Sequence, residues 1–361
     1  MTDTQKDVRD HVSRMHTSQK SQSCENNFPQ LKGNASKIGI IANPSSGQDL
    51  RRLVSKAKTV TQLEKVNLLS RLFSGLQSMG DFQLYYMPER LYLVQQALES
   101  SSVKPLVVKA VPDLIEGGPQ DTVTSVKQMV SEGVNLIVTL GGDGTNRLVA
   151  ESSFNVPILP LSTGTNNVFP EFHEGSRAGL AAGVFLRGLA QKKTVSDFCR
   201  PHKFLKASSD DFQEVALVDF ALSKQKQLGG RAVWKPEQLT HLFASRSTPG
   251  DSGISGILGS MMEVSTEDPF GVYAITGMQK RVQGFMVAGV LEEFGLDHFD
   301  RMQLDESICF HVEEGSLLAD GERIRTLHDQ SICFSLHEQG PWVLDVDRTL
   351  SYGLEEGFFQ V

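Results

Sequence analysis

The sequence predicts an α/β chain: an N-terminal three-layer domain built on a parallel sheet, then a β-rich, sandwich-like second domain. Short apolar runs alternate with helix-like stretches through the first half, the pattern of parallel strands covered on both faces. Beyond about residue 200 the rhythm becomes strand upon strand with little helix between. Polar, glycine-containing loops follow three of the early runs. In open α/β sheets such loops gather at the carboxyl ends of the strands, where ligands bind.

A length of 361 residues favours two cores over one. The formal net charge of −8 comes with no basic block, which argues against nucleic acid as a partner. No apolar stretch approaches the roughly 20 residues of a membrane span, so stable membrane insertion is not expected. Cys24, Cys199, Cys309 and Cys333 are far apart and form no C-x-x-C, which suits free thiols in a reducing cytoplasm. The nine histidines show no H-x-H or H-E-x-x-H spacing, and no zinc site is expected.

Residues 1–36 are polar, carry both charge signs and lack the apolar core of a secretory signal. Asp3, Asp7, Asp10 and Glu25 speak against a mitochondrial presequence, and the segment is expected to be a disordered tail. The first domain is expected over 37–175. "KIGIIANP" (37–44) reads as a strand ending in a turn, and "SSGQDLRRLVSKA" (45–57) as the following helix. "FQLYYMP" (82–88), "PLVVKAV" (105–111), "NLIVTL" (135–140) and "VPILPLS" (156–162) read as further strands separated by helices. The second domain is expected over 176–361, with its C-terminal segment either staying there or returning to the first. Its strands are read at "EVALVDFALS", "GVYAITG", "QGFMVAGVL", "ESICFHVEEG" and "QSICFSLHEQG". "SICF" occurs at 307–310 and again at 331–334, as two similar strands would explain.

The stretch "NLIVTLGGDGTNRLVAE" (135–151) places a carboxylate inside a glycine turn between a strand and a helix. Glycines let the backbone approach a ligand, and N–H groups free at a helix start attract phosphate. Asp143 is repulsive beside phosphate unless it holds Mg²⁺ or takes a proton from an attacking hydroxyl. The plainer alternative is that Asp143 caps the helix with its side chain. "IIANPSSG" (40–47) and "PLSTGTNNVFPE" (160–171) supply two further polar loops at the same edge.

Together these motifs resemble the superfamily of NAD kinases and diacylglycerol-type lipid kinases. "GGDGT" after a strand is its signature, "NPSSG" is similar to the lipid-kinase branch, and the stretch from residue 37 onward looks most like the AcoX-like, ATP-NAD-kinase-related group. The resemblance implies ATP as phosphoryl donor, Mg²⁺ as cofactor, and Asp143 as catalytic base or Mg²⁺ ligand. It implies nucleotide contacts from Gly141, Gly142, Gly144, Thr145 and Asn146, from Asn43, Ser46 and Gly47, and from Thr163, Gly164, Thr165, Asn166 and Asn167. Asn43 before a proline, and the Asn166–Asn167 pair, are also ordinary turn and cap chemistry.

In the second domain Asp219, Asp320 and Glu322 match the family's substrate-contacting positions. Val218 stands where NAD kinases carry an asparagine, which removes an amide used for NAD. Alternation along the strand also allows Val218 a core-facing role. Asp320–Gly321 between apolar runs is equally the best short hairpin signal. The implied activity is ATP-dependent phosphoryl transfer to a hydroxyl, with NAD or a related soluble acceptor first. A lipid kinase and a non-catalytic nucleotide-binding regulator linked to acetoin catabolism are the alternatives, and homo-oligomerisation is left open. The chain has no G-x-x-x-x-G-K-[ST], no protein-kinase motif set and no G-x-S-x-G.

Overall fold

A computed structural model describes residues 13–15, 36–46, 60–164, 166–224, 238–287 and 289–360. After β1 (Ser13–Met15) the chain runs β2 (Ser36–Ala42), α1 (Gln62–Gln77), β3 (Phe82–Tyr86), α2 (Leu93–Glu99), β4 (Val107–Ala110) and α3 (Pro119–Ser131). It continues through β5 (Leu136–Gly141), α4 (Asp143–Ser152), β6 (Ile158–Ser162), α5 (Gly175–Ala190), α6 (Val195–Phe198) and β7 (Cys199–Pro201). Next come β8 (Phe204–Ser209), β9 (Phe212–Ala216), β10 (Asp219–Ser223), β11 (Leu239–Ala244) and α7 (Ile254–Gly259). The long strands β12 (Phe270–Val287), β13 (Val290–Gln303), β14 (Ser307–Ala319) and β15 (Glu322–His337) follow, then β16 (Trp342–Leu344) and α8 (Val346–Glu355).

The chain divides into two compact units. Among the described residues the α/β unit comprises 36–46, 60–201 and 340–360, and the β unit comprises 13–15 and 202–339. The division falls at 201/202 rather than at 175/176, because α5 packs on α1 and both belong to the α/β unit. Residues 340–360 lie in the α/β unit, where β16 adds parallel to β6.

In the α/β unit the sheet order is β4-β3-β2-β5-β6-β16-β7. All pairings are parallel except that of β7 with β16. The chain starts in the middle at β2, adds β3 and β4 on one side and then β5 and β6 on the other. Such a reversal opens a crevice at the carboxyl ends of the two central strands. β2 and β5 are apolar because both faces are covered: Ile38, Ile40, Leu136, Val138 and Leu140 are fully buried with Leu69, Leu72, Phe73 and Phe185 of the helices.

The β unit is an antiparallel sheet in the order β13-β12-β11-β10-β14-β15-β8-β9, with β1 beside β14. Its aromatic centre stacks Phe243 on Phe334 with ring centroids 4.0 Å apart.

Within the expected tail, Ser13–Met15 pair antiparallel with Cys309, Ile308 and Ser307 of β14. The helix expected over 45–57 falls mostly outside the described residues. "EVALVDFALS" is two strands, broken at Leu217 and Val218, and "GVYAITG" and "QGFMVAGVL" share the long β12 and the turn into β13. Cys309 and Cys333 are not free thiols: a disulfide joins them across β14 and β15, with their Cα atoms 4.0 Å apart. The two "SICF" copies explain it, since β14 and β15 pair antiparallel with Cys309 opposite Cys333 and Ile308 opposite Phe334. A spacing that looks distant in sequence is adjacent once the hairpin forms.

Candidate active site in the α/β unit

The buried run of β5 ends at Gly141, and Gly142 precedes α4 in extended conformation (φ −96°, ψ −171°). The capping position is therefore Gly142, while Asp143 is the first helical residue. Asp143 does not cap its own helix. Its Oδ1 accepts from the backbone N–H of Val168 (3.1 Å) and Phe169 (2.8 Å), and Oδ2 also lies 3.1 Å from Val168 N. The half-buried carboxylate thus grips the loop after β6 from the loop after β5.

The third loop closes a ring with the other two. Asn43, just past β2, donates its backbone N–H to Leu140 O of β5 (2.9 Å), and its side-chain Nδ2 donates to Thr145 Oγ1 (2.9 Å). Thr163 Oγ1 donates to Ser46 Oγ (2.8 Å), and Ser46 Oγ in turn donates to Asn43 O (2.7 Å). Asn167 Nδ2 donates to Ser162 Oγ (3.1 Å), and a Cβ on Gly142 would lie only 2.8 Å from Asn167 Oδ1. All three loops are hydrogen-bonded pairwise at the switch point of the sheet.

The remaining expected residues sort by depth. Asn146 is fully buried, with Oδ1 accepting from Thr139 Oγ1 (2.6 Å) and Nδ2 donating to Gly142 O (3.0 Å), so it braces the turn from behind. A Cβ on Gly141 would meet Thr145 Cβ at 2.6 Å, which explains the glycine by packing alone. Gly164 is buried, with its carbonyl accepting from Ser162 Oγ, and Gly144 and Asn166 are half-buried. Gly47 and Thr165 lie outside the described residues.

Asp219, Asp320 and Glu322 belong to the β unit. Asp320 and Gly321 have φ +49° and +76° and form the two-residue turn between β14 and β15, closed by the Ala319·Glu322 pair. The Asp320 carboxylate accepts from three successive N–H groups, Leu217 (3.1 Å), Val218 (2.8 Å) and Asp219 (3.2 Å). The hairpin reading accounts for Asp320–Gly321, and the carboxylate organises the break between β9 and β10. Val218 is fully buried, its carbonyl accepting from Ser245 N (2.8 Å).

That contact exposes a group the sequence reading missed. The run "SRSTPGDSG" (245–253) follows β11, and Ser245, Arg246, Ser247 and Ser255 are all buried. Its signal was present: a Ser/Thr/Gly-rich stretch directly after an apolar strand. Arg246 Nη2 lies 3.1 Å from His202 Nδ1. Burial first, and then the Arg246 charge, hold His202 well below the ordinary imidazole range. Burial likewise pushes Lys203 down to about 8 and raises the Asp251 carboxyl. Among the described residues no group of three or more His, Cys, Asp or Glu side chains is placed to hold a metal ion, and no helix is long and apolar enough to cross a membrane.

Two family models match the chain: the ATP-NAD kinase N-terminal domain over residues 38–188, and the acetoin catabolism protein X C-terminal domain over 203–339. Acetoin catabolism protein X of Cupriavidus necator is 32% identical over 248 residues, covering 65% of this chain and 68% of that protein. The chain belongs to the acetoin catabolism protein X family. The family's C-terminal domain coincides with the β unit, whose main segment is His202–Gln339. Solved structures similar to this family member include a putative diacylglycerol kinase of Bacillus anthracis str. Sterne (14% identity, TM-score 0.47, 87% of this chain and 98% of that one). An NAD kinase of Archaeoglobus fulgidus in complex with ATP is another (12% identity, TM-score 0.41, 90% and 99%).

Proposed function

We propose that this acetoin catabolism protein X family member transfers a phosphoryl group from ATP to a hydroxyl acceptor, with the 2′-hydroxyl of NAD the first candidate. The observation that carries this reading is the ring of three loops at the sheet's switch point, with one carboxylate, Asp143, at the first position of α4. Phosphoryl transfer asks little covalent chemistry of a protein; it needs the acceptor placed and the moving charge neutralised. The loops are suited to nucleotide phosphates and Asp143 to the acceptor or to Mg²⁺. A single carboxylate fits Mg²⁺ that arrives on the phosphates, since that ion commonly takes one or two protein carboxylates and keeps its other ligands from substrate and water. The match to the NAD kinase N-terminal domain supports the donor side. In the β unit the Asp320 carboxylate accepts from the N–H groups at 217–219, which accounts for it by structure.

One observation favours a second reading, nucleotide binding without turnover in the service of acetoin catabolism. The Asp143 carboxylate is engaged by Val168 and Phe169, as a purely structural carboxylate would be. Purified protein with ATP, Mg²⁺ and either NAD or diacylglycerol vesicles separates the possibilities. A phosphorylated acceptor supports the kinase reading and identifies its branch; ATP binding by calorimetry with no product on either acceptor supports the binding-only reading.

A further inference from the structure

Lys65 is 1% exposed, although lysine is among the residues least often buried. It lies in the first turn of α1, where a capping box of Thr61 and Glu64 fixes the helix start. A cation there opposes the positive end of the helix dipole, and burial adds a desolvation penalty. Such a residue persists only where its surroundings return the cost. Here they do: Lys65 Nζ donates to the carbonyl oxygens of Asn43 (3.0 Å), Pro44 (2.8 Å) and Ser46 (2.6 Å). Three carbonyls match the three donors of an ammonium group.

The carbonyls belong to the loop after β2 that Asn43 and Ser46 bind to the two neighbouring loops. Turning them onto Lys65 points their partial negative charge into the protein, away from the face that carries exposed Ser45. It also sets the Lys65 ammonium beneath the loop. Both effects favour an anion on the outer side: fewer carbonyl dipoles repel it, and a preorganised charge attracts it. Neither effect requires Lys65 to touch the ligand.

Resting on the phosphoryl-transfer reading above, we infer that Lys65 is the positioning residue for the donor's polyphosphate. It acts through Asn43, Pro44 and Ser46, and the ligand class it serves is an inorganic or nucleoside polyphosphate. The role is separable from scaffolding because it concerns phosphate and not the nucleoside.

The test compares wild type, Lys65→Gln and Lys65→Arg for affinity toward Mg·ATP, inorganic tripolyphosphate and adenosine, with melting temperatures alongside. Lys65→Gln keeps an amide for the carbonyls but removes the charge. It is expected to weaken ATP and tripolyphosphate about tenfold to a hundredfold and to leave adenosine within about twofold, with Lys65→Arg in between. Unchanged tripolyphosphate affinity in a folded Lys65→Gln protein overturns the inference. So does an equal loss for all three ligands, which marks a structural residue. Where Lys65→Gln has no thermal transition, Ser45→Glu on the exposed outer face of the same loop decides: a several-fold loss confined to the phosphate-bearing ligands supports the inference, and wild-type tripolyphosphate affinity overturns it. If wild type itself binds neither ATP nor tripolyphosphate, the phosphoryl-transfer reading falls, a result distinct from these.

Discussion

Asp143 and Val218 show how much one residue's meaning depends on contacts the sequence does not display. The Asp143 carboxylate can be replaced by asparagine with modest structural loss, because a single Oδ1 already takes both of the N–H groups of Val168 and Phe169. Asp143→Asn is therefore expected to keep its fold, with a melting temperature within a few degrees of wild type, and to lose phosphoryl transfer by about a hundredfold or more. Wild-type turnover would remove Asp143 from the chemistry. Val218 is expected to behave in the opposite way. Its side chain is fully buried and its backbone N–H is held by Asp320, so Val218→Asn buries an amide that costs about 1–3 kcal/mol where it finds no partner. The melting temperature should fall and NAD binding should not tighten; tighter binding at unchanged stability would restore Val218 as the site of a lost amide. At this scale the sequence announced Asp143, because a carboxylate among glycines is chemically odd. It was silent about Lys65, because nothing local distinguishes a buried lysine from an exposed one before the loop 22 residues upstream folds over it.

The elements show the same division between local and long-range information. β2, β3, β5 and β6 were legible because each is an apolar run bounded by turn residues, and covering both faces of a parallel strand imposes that composition; β4, at the sheet edge, has the same β-branched run although its valines are exposed. The break between β9 and β10 was not, since its cause is the Asp320 carboxylate from another hairpin. The packing of α5 on α1 was not legible either, and it bears on the inferred polyphosphate site because α1 carries Lys65. Gly175, Gly179 and Gly183 lie four apart along α5, and a Cβ at Gly179 would come within 2.0 Å of Leu72 O on α1. Backbone cannot yield as a flexible side chain does, so Gly179→Ala should force the helices apart and cost about 1–3 kcal/mol. The expected readout is a lower melting temperature together with weakened tripolyphosphate binding, as α1 moves Lys65 from its loop. Lost stability with unchanged tripolyphosphate affinity would separate the helix packing from the site.

At the scale of the whole molecule, the two units differ in how they answer to acid. In the β unit burial pushes His241 down to about 4 and holds His202 well below the ordinary range, with the Arg246 charge adding to the effect on His202. His337 is also lowered, by burial and Lys206 against the opposing pull of Asp305. A histidine whose folded pKa is depressed binds fewer protons than its unfolded counterpart. Its contribution is thus intact above about 6.5 and is lost as pH falls from there toward the folded value. Lys203, at about 8, adds no slope between pH 7 and 5, because it is protonated in both states there. In the α/β unit the resolved shifts of this kind are on carboxylates. Lys109 holds Glu132 low, and the Thr194 N–H holds Asp197 low. A depressed carboxylate keeps its contribution above its unfolded pKa, so those groups act only below about pH 4.5. Lowering the pH from 7 to 5 should therefore weaken the β unit, chiefly through His202 and His241 and against the smaller opposing effect of the raised Asp251 carboxyl, and leave the α/β unit nearly unchanged. Hydrogen exchange corrected for intrinsic rates and resolved by segment measures this directly. Protection should fall across β10, β11 and β14 and hold across β2, β5 and α1; equal loss in both sets would show that these half-buried imidazoles do not govern the acid response.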